Sequence, residues 1–229
     1  MPTQAIEEYL ESIYKLNLRG GRVIAARLAE DLGVSAPTVT EMVRRLRKAE
    51  LVITEADKEI VLTDTGREAA EVLIRRHRLS ERLLTDILGM PWSQAHEEAC
   101  KFEHVISPAV EARLAHVLDY PSTCPHGNPI PGMGTEGDDL VRLSDTPVGS
   151  RAVLRCVEAE DEELLTYVEG LGLVPGAEID VLGYAPLEGP VDALVEGVRV
   201  SVGLAAAERL LVRIADPEER NRGGGRTEG

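Results

Sequence analysis

A stretch of nine residues, HEEACKFEH (96–104), holds an unusual number of side chains that can bind a metal ion. The chain has only five histidines and three cysteines, and this stretch contains two of the histidines and one of the cysteines. On a helix of about 3.6 residues per turn, four of its side chains would share one face. They are His96, Cys100, Glu103 and His104. Such a face predicts a metal site.

A second pair, His77 and Glu81, has i, i+4 spacing in the preceding segment. Imidazole, thiolate and carboxylate together suit a divalent transition metal, Fe²⁺, Mn²⁺, Co²⁺, Ni²⁺ or Zn²⁺. They do not suit a structural zinc finger, which uses closely spaced pairs of cysteines. A single helical histidine or cysteine is more often a packing residue, so the interpretation depends on the set. His116 and His126 have no such neighbours in the sequence and receive no role.

The composition narrows the class of protein. A length of 229 residues predicts one large domain or two to three small ones, and 43% hydrophobic residues are enough to form cores. Three cysteines do not indicate a disulfide framework. No apolar run is long enough to span a membrane, and the first residues do not resemble a secretory signal. We therefore expect a cytoplasmic protein without a membrane partner.

The net charge of −15 argues at first against nucleic acid, but the charge is distributed unevenly. Residues 1–54 carry eight basic and seven acidic side chains, whereas residues 136–219 carry six basic and 19 acidic ones. Binding of DNA requires local positive charge and not a basic total. The amino-terminal part can therefore bind DNA while the acidic part does not.

The amino-terminal pattern predicts a winged helix. Amphipathic helices are expected over 4–18, 22–33 and 34–51, and the last has Ser35 as N-cap and Pro37 in its first turn. Two β-branched runs around a polar turn predict a hairpin over 51–63. A helix-turn-helix followed by a hairpin is typical of DNA-binding domains.

The remaining pattern predicts an α+β protein. Helices are expected over 64–89, 93–107 and 108–120, and a Pro/Gly-rich turn region at 121–134 marks a domain boundary. From residue 140 short strands and one helix (160–172) predict a small SH3-like β barrel. The tail NRGGGRTEG (221–229) should be disordered.

Three motifs, RHRLSERLLTDILG (76–89), HEEACKFEHVIS (96–107) and GNPIPG (127–132), resemble the diphtheria toxin repressor family of metal-dependent bacterial repressors. The resemblance covers nearly the whole chain. It implies a homodimer that binds palindromic double-stranded operators when loaded with Fe²⁺ or Mn²⁺. It also implies a winged-helix domain (1–72), a metal-binding and dimerisation helical domain (73–139), an SH3-like domain (140–217) and a disordered tail (218–229).

The resemblance implies two metal sites in each subunit. The ancillary site would use His77, Glu81 and His96, completed by a polar group from the SH3-like domain. Where the iron regulators supply a Gln, this chain has Leu164. A neighbouring acid would serve instead, or the contact is absent; the candidates are Glu160, Asp161 and Glu163.

The primary site would use Cys100, Glu103 and His104 with one ligand from the first helix. Iron-sensing members have Met there, whereas manganese-sensing members have Asp, and Glu in place of the cysteine. This chain combines Glu8 with Cys100, a hybrid of the two patterns. Co²⁺, Ni²⁺ and Zn²⁺ are expected surrogates. Cys124 matches a position where some manganese-type members have a ligand cysteine, and a packed thiol fits equally well.

The recognition helix of the resemblance covers residues 35–48. Its amino-terminal side chains are expected to meet the bases: Ser35, Pro37, Thr38 and Thr40. Cationic side chains are candidates for phosphate contacts: Arg27, Arg44, Arg45, Arg47 and Lys48. Glu41 replaces the Gln of iron-type members and could accept a hydrogen bond from a cytosine N4 amine.

Two other classes of function remain open at this stage. One is a metal-independent DNA-binding regulator whose ligand set is vestigial. The other is a metalloenzyme with an open coordination position. The sequence contains no separate motif for a general base or nucleophile, so we do not expect an enzyme.

Overall fold

The computed structural model describes residues 3–134, 139–158 and 161–215. The described residues form two compact units, the first from the ranges 1–77 and 101–111 and the second from the ranges 78–100 and 112–229. The helices are α1 (Gln4–Leu18), α2 (Ala25–Asp31), α3 (Ala36–Lys48), α4 (Asp64–Arg82), α5 (Trp92–Phe102), α6 (Pro108–Val117), α7 (Glu162–Gly170) and α8 (Leu204–Ala207). The strands are β1 (Val52–Thr54), β2 (Ile60–Leu62), β3 (Val141–Arg142), β4 (Arg151–Val157), β5 (Glu178–Tyr184), β6 (Val191–Val195), β7 (Val198–Val202) and β8 (Leu210–Ile214).

The first unit contains the expected winged helix. Helices α1 to α3 are followed by the antiparallel hairpin of β1 and β2, in which Ile53 pairs with Val61. Gly33, at φ 63°, ends α2 as predicted, because glycine adopts the left-handed conformation without strain. Ser35 caps α3 by accepting a hydrogen bond from the Thr38 amide at 3.3 Å.

The core of the winged helix is aliphatic. Leu10, Ile13, Leu28, Val39 and Leu46 are fully or almost fully buried in one cluster, with apolar residues of both strands. Because α3 contributes only one face to this core, its polar and cationic face stays exposed to solvent. The Ser12 hydroxyl also donates a hydrogen bond to Asp31 at 2.5 Å, and this bond connects α1 with α2.

Two helices differ from the prediction. The segment expected as one helix over 64–89 is α4 followed by a π-helical turn at Leu83–Ile87, before Gly89 ends it at φ 69°. The helix expected over 93–107 ends at Phe102, so Glu103 and His104 lie in the following turn and not on the face of His96 and Cys100. A new helix begins at Pro108, and the residue before a proline is disfavoured in the helical conformation, so the predicted helix could not reach residue 107.

The carboxy-terminal part of the second unit is one antiparallel sheet. Its six strands have the order β3-β8-β4-β5-β6-β7, with register shifts between Leu154 and Cys156 and between Val181 and Gly183. Such irregularities increase twist and bend strands. The inward faces, together with α7 and α8, bury an apolar core. The strand pairings of the described residues leave β3 and β7 at the edges, so the closed barrel stays a prediction.

The Pro/Gly-rich segment 121–134 is an ordered turn in the second unit. Cys124 and Asn128 are joined by a backbone hydrogen bond of 2.9 Å, and Arg82 donates to the Thr123 carbonyl at 2.8 Å. The Val157 amide donates to the His126 carbonyl at 3.0 Å, which fastens this turn to β4. The segment therefore joins the second half of α4 to the sheet.

The predicted tail (221–229) lies outside the described residues, as do residues 135–138 and 159–160. Among the helices that the structure describes, none combines the length and the apolar character needed to cross a bilayer.

Candidate metal centres and nucleic-acid interface

The first unit brings a histidine from α4 to the turn that follows α5. His77 Nδ1 lies 2.5 Å from Glu103 Oε2, and both side chains are 2% exposed. The other oxygen of Glu103, Oε1, lies 3.2 Å from His104 Nε2. Two imidazoles therefore flank one buried carboxylate.

Helix α1 supplies further carboxylates to this cluster. Glu7 Oε2 lies 2.7 Å from His104 Nδ1, and Glu11 can place an oxygen within 4.8 Å of ligand atoms of both His77 and Glu103. Glu8 is exposed, and its Oε1 accepts a hydrogen bond from Gln4 Nε2 at 3.2 Å. We call the group of Glu7, Glu11, His77, Glu103 and His104 the α1 cluster.

The α1 cluster favours bound positive charge. Burial raises the pKa of the Glu103 carboxyl, the hydrogen bond from His77 opposes this change, and the negative charge of Glu11 raises the pKa further. Two carboxylates close together in a buried place are stabilised by a proton or a cation between them. The donor set of the cluster therefore fits a divalent cation.

A second group of donors lies entirely within the second unit. Oε1 of the fully buried Glu81 lies 3.2 Å from His96 Nδ1 and 3.3 Å from His126 Nδ1. Cys124 Sγ lies 3.8 Å from the same His126 nitrogen, and donor atoms of Glu81, Cys124 and His126 all lie within 4.8 Å of one another. We call Glu81, His96, Cys124 and His126 the turn cluster, because two of its members lie on the 121–134 turn.

The two nitrogens of His126 have different partners. Nε2 lies 2.9 Å from the Trp92 carbonyl oxygen, so Nδ1 faces Glu81 and Cys124. Burial alone would lower the pKa of His126, but hydrogen bonds with Cys124 and Glu81 outweigh it and raise the pKa to about 11. The turn cluster therefore stabilises a positive charge among its donors, and its donor set fits a divalent cation.

The other predicted ligands that the structure describes, Cys100, Asp161 and Glu163, are exposed. Cys100 is exposed, and its thiol lies 3.8 Å from His96 Nε2. Asp161 caps α7 through the Leu164 amide at 2.9 Å and lies 3.6 Å from Arg209 Nη1. Glu163 is exposed on the first turn of α7, and Glu160 lies outside the described residues.

The predicted DNA-binding side chains of α3 form one exposed face. This face contains Ser35, Pro37, Thr38, Thr40, Glu41, Arg44, Arg45, Arg47 and Lys48. The Thr40 hydroxyl donates to the Ala36 carbonyl at 2.9 Å, and Arg44 donates to Glu41 through Nε at 3.0 Å and Nη2 at 2.7 Å. The carboxy-terminal half of the helix is cationic, as an electrostatic contact with phosphates requires.

Arg27, the remaining candidate, lies on α2. Its Nη1 donates to the Gly20 carbonyl at 2.9 Å, so the side chain also fixes the loop between α1 and α2. The hairpin tip carries acidic side chains at Glu55, Asp57 and Glu59, and Arg22 forms ion pairs with the last two.

Sequence reasoning did not find Glu7, Glu11 or His126. The carboxylates could have been recognised by their i, i+4 spacing on α1, and His126 by its position two residues after Cys124 in a turn. None of these signals is specific by itself, because tertiary packing is needed to bring the residues of each cluster together.

Comparison with known families divides the chain into three regions. Residues 1–60 match the model described as "Iron dependent repressor, N-terminal DNA binding domain". Residues 63–132 match "Iron dependent repressor, metal binding and dimerisation domain", and residues 141–214 match the FeoA domain.

The similar curated proteins and solved structures are also named as repressors. The chain is 41% identical to the iron-dependent repressor IdeR of Mycobacterium tuberculosis over 190 residues, which cover 76% of this chain and 82% of IdeR. It is 45% identical to the diphtheria toxin repressor of Corynebacterium diphtheriae over 148 residues, 64% of each protein. A manganese complex of a manganese-dependent transcriptional repressor is similar at a TM-score of 0.84 and 31% identity, over 92% of this chain and 100% of that one. ScaR with bound Zn²⁺ gives a TM-score of 0.78 at 32% identity, over 93% and 99%.

Proposed function

Because the chain belongs to the family of metal-dependent transcriptional repressors that includes IdeR and the diphtheria toxin repressor, we propose that it represses transcription as a homodimer loaded with Fe²⁺ or Mn²⁺. Its relatives are named as repressors and not as enzymes, which removes support for the metalloenzyme. A protein that acts on operator DNA works in the cytoplasm, in agreement with the expectation from composition.

The α1 cluster is the observation that carries this proposal. It connects α1, whose Leu10 and Ile13 pack in the core beneath the recognition helix, with Glu103 and His104. A cation held by this cluster is therefore bound directly to the DNA-binding domain. A ligand shifts a conformational equilibrium only if it binds one state more tightly than the other. A cation that needs the carboxylates of α1 in one position would bind that state more tightly and would therefore favour it.

The α1 cluster defines the primary site. We propose Glu103, His104 and Glu11 as ligands, together with Glu8 from the adjacent face of α1, and a ligand role for Cys100 remains a prediction of the family resemblance. Glu7 takes a different role, because its carboxylate lies at Nδ1 of His104 while Nε2 faces Glu103. A metal-binding histidine usually donates its other N–H to a carboxylate or carbonyl, which fixes the ring orientation. Glu7 is therefore a positioning residue.

The turn cluster defines the second site, with Glu81, His96, Cys124 and His126 as proposed ligands. His126 follows the same rule as His104, with the Trp92 carbonyl as the orienting group. His77 contacts Glu103 in the first unit, and its place in this second site remains a prediction of the resemblance. A ligand from Asp161 or Glu163 remains a prediction of the resemblance.

The donor types bear on the choice of metal. Carboxylates favour Mn²⁺ and Fe²⁺, whereas a thiolate favours Fe²⁺, Co²⁺ and Zn²⁺. A bound cation would supply positive charge that offsets the clustered carboxylates and would take the place of the protons held there. The ligand residues would then hold α1 in one position. Because α1 and α3 share one core, the exposed face of α3 would be held with it.

In a symmetric dimer two such faces would bind successive major grooves of a palindromic operator. We propose the domain boundaries of the resemblance, 1–72, 73–139 and 140–217, with the last domain closing as an SH3-like barrel. Because the cationic end of α3 would neutralise several phosphates, operator binding should weaken steeply as salt rises, despite a net charge of −15.

Operator binding by the full chain tests this function. Sites selected from a random duplex library with Mn²⁺ present should bind with Fe²⁺ or Mn²⁺ and lose affinity when a chelator is added. Co²⁺, Ni²⁺ and Zn²⁺ serve as comparison ions. Equal affinity with and without chelator would show a metal-independent regulator and overturn the proposal.

A further inference from the structure

The recognition helix carries an acidic side chain where DNA-binding surfaces are usually basic. Glu41 lies on the exposed face of α3, and Arg44 holds both of its carboxylate oxygens, at 3.0 and 2.7 Å. The two side chains are 58% and 73% exposed, respectively. An ion pair this exposed adds little to the stability of a helix, so folding does not explain its presence.

The pair forms a ridge between two grooves. One groove lies between α1 and α3 and is lined by Ile6, Glu41, Arg44, Arg45, Lys48 and Ala49. Another lies between α3 and the hairpin, and its lining includes Thr40, Glu41, Arg44, Arg47, Lys58 and Ile60. Glu41 and Arg44 border both grooves, so they project from the surface that the winged helix presents to DNA.

On a surface that contacts DNA, a carboxylate is tolerated only where the DNA presents a hydrogen-bond donor to it. Its pKa is lowered, first by the hydrogen bond from Arg44, so Glu41 is an anion at neutral pH and is repelled by phosphates. In the major groove cytosine presents its N4 amine as a donor, and Glu accepts from it. Adenine also has an amine, but its N7 acceptor lies beside it and would face a carboxylate oxygen.

Arg44 explains how the carboxylate is held. Two of the five guanidinium donors bind Glu41, and three remain for a neighbouring phosphate. The bidentate fork fixes the orientation of the carboxylate, which a flexible glutamate lacks by itself.

We propose that Glu41 determines operator specificity by accepting a hydrogen bond from a cytosine N4 amine in each half-site, and that Arg44 is its positioning residue. This inference rests on the proposed function, since it assumes metal-dependent binding of DNA. It goes further by naming the base that one side chain recognises.

The test is site selection from a random duplex library by the full chain in Mn²⁺. The parent should select a C·G pair at two symmetry-related positions, and Glu41→Gln should select A·T there, because Gln pairs with adenine N6 and N7. Replacing that cytosine should weaken the parent about five-fold to ten-fold and Glu41→Ala less than about two-fold. Glu30→Gln makes the same change of charge on the exposed face of α2 and should keep the parent preference.

Arg44→Lys tests the positioning role. Lysine keeps the positive charge but lacks the fork, so the preference for cytosine should fall while the salt dependence stays unchanged. A parent that binds no duplex with metal overturns the proposed function and this inference with it. If Glu41→Gln selects the same bases as the parent at every position, this inference alone is wrong. A cytosine preference that Arg44→Lys leaves unchanged removes the positioning role.

Discussion

Glu7 Oε2 lies 2.7 Å from Nδ1 of His104, although 97 positions separate the two residues in the chain. This contact leaves the other ring nitrogen of His104 facing Glu103 at 3.2 Å. Glu7 on the first helix of the winged-helix domain therefore orients the His104 ring so that Nε2 faces the proposed metal site. Glu8, one position further along the helix, is exposed and contacts Gln4.

The different positions of Glu7 and Glu8 give the first prediction. Glu8→Ala should lose most metal-activated operator binding, because a ligand is removed. Glu7→Gln should weaken metal binding about 10-fold to 100-fold, the usual effect of losing an orienting partner. Mn²⁺ titration by calorimetry and operator binding by fluorescence anisotropy measure the two effects. Gln4→Ala is the control and should behave like the parent. If Glu8→Ala responds normally while Glu7→Gln does not, Glu7 and not Glu8 is a ligand from α1.

The second prediction concerns the two thiols. Cys124 is buried in the turn cluster, whereas Cys100 is exposed beside His96. A thiolate bound to Co²⁺ gives an intense charge-transfer absorption in the near ultraviolet, which carboxylates and imidazoles do not give. The parent should show this absorption at two Co²⁺ equivalents per subunit, and Cys124→Ala and Cys100→Ala should each remove part of it. The buried Cys156, replaced by Ala, is the control. An unchanged spectrum in Cys124→Ala would exclude that thiol as a ligand.

The third prediction follows from the environment of His126. Its contacts with Cys124 and Glu81 outweigh burial and raise its pKa from 6.5 to about 11. A raised histidine pKa contributes stability that is fully present below about pH 6.5 and declines as pH rises towards 11. With chelator present, the free energy of unfolding should therefore fall between pH 7 and 9 by up to about 1.4 kcal/mol per pH unit.

Urea unfolding of the parent and of His126→Gln measures this effect. The variant should show a shallower decline over the same pH range, because glutamine does not titrate. Equal slopes in the two proteins would show that His126 holds no extra proton in the folded state.

The local elements of the fold could be predicted from the sequence because local signals determine them. Ser35 and Pro37 mark the start of α3, and Gly33 and Gly89 end helical segments through positive φ angles. The end of α5 was predicted wrongly. Its apolar and polar periodicity continues past Phe102, whereas the helix itself ends there and is followed by a turn before the next helix begins at Pro108. Periodicity reports which face is buried, and it does not report where backbone hydrogen bonding stops.

The candidate sites depend on tertiary packing. His77, Glu103 and His104 were recognised as donors, but the sequence could not show that Glu103 lies between the two histidines. His126 was not recognised, because its role depends on a turn that packs against β4 and brings it to Glu81. The chemical type and spacing of residues identify the donors on one helix or turn. Which helices and turns lie next to one another is known only from the folded structure.

The last prediction concerns that packed turn. Gly127 has φ 86°, and a Cβ atom there would lie 1.9 Å from the Arg155 carbonyl oxygen of β4. Gly149 has almost the same φ, 82°, and a Cβ atom there would meet nothing within 4 Å. Gly149→Ala should therefore lose only about 1–2 kcal/mol of folding free energy, the strain of a left-handed alanine. Gly127→Ala has the same strain and a backbone collision, so the turn must move away from β4.

Thermal unfolding and metal stoichiometry distinguish the two alanine variants. Gly149→Ala should bind two metal ions per subunit, whereas Gly127→Ala should unfold at a lower temperature and lose the ion held by Cys124 and His126. Retention of both ions and of the parent stability in Gly127→Ala would show that the turn does not depend on its contact with β4. Binding of one ion by the folded Gly127→Ala protein, with the α1 cluster intact, would show that the contact with β4 holds the second site together.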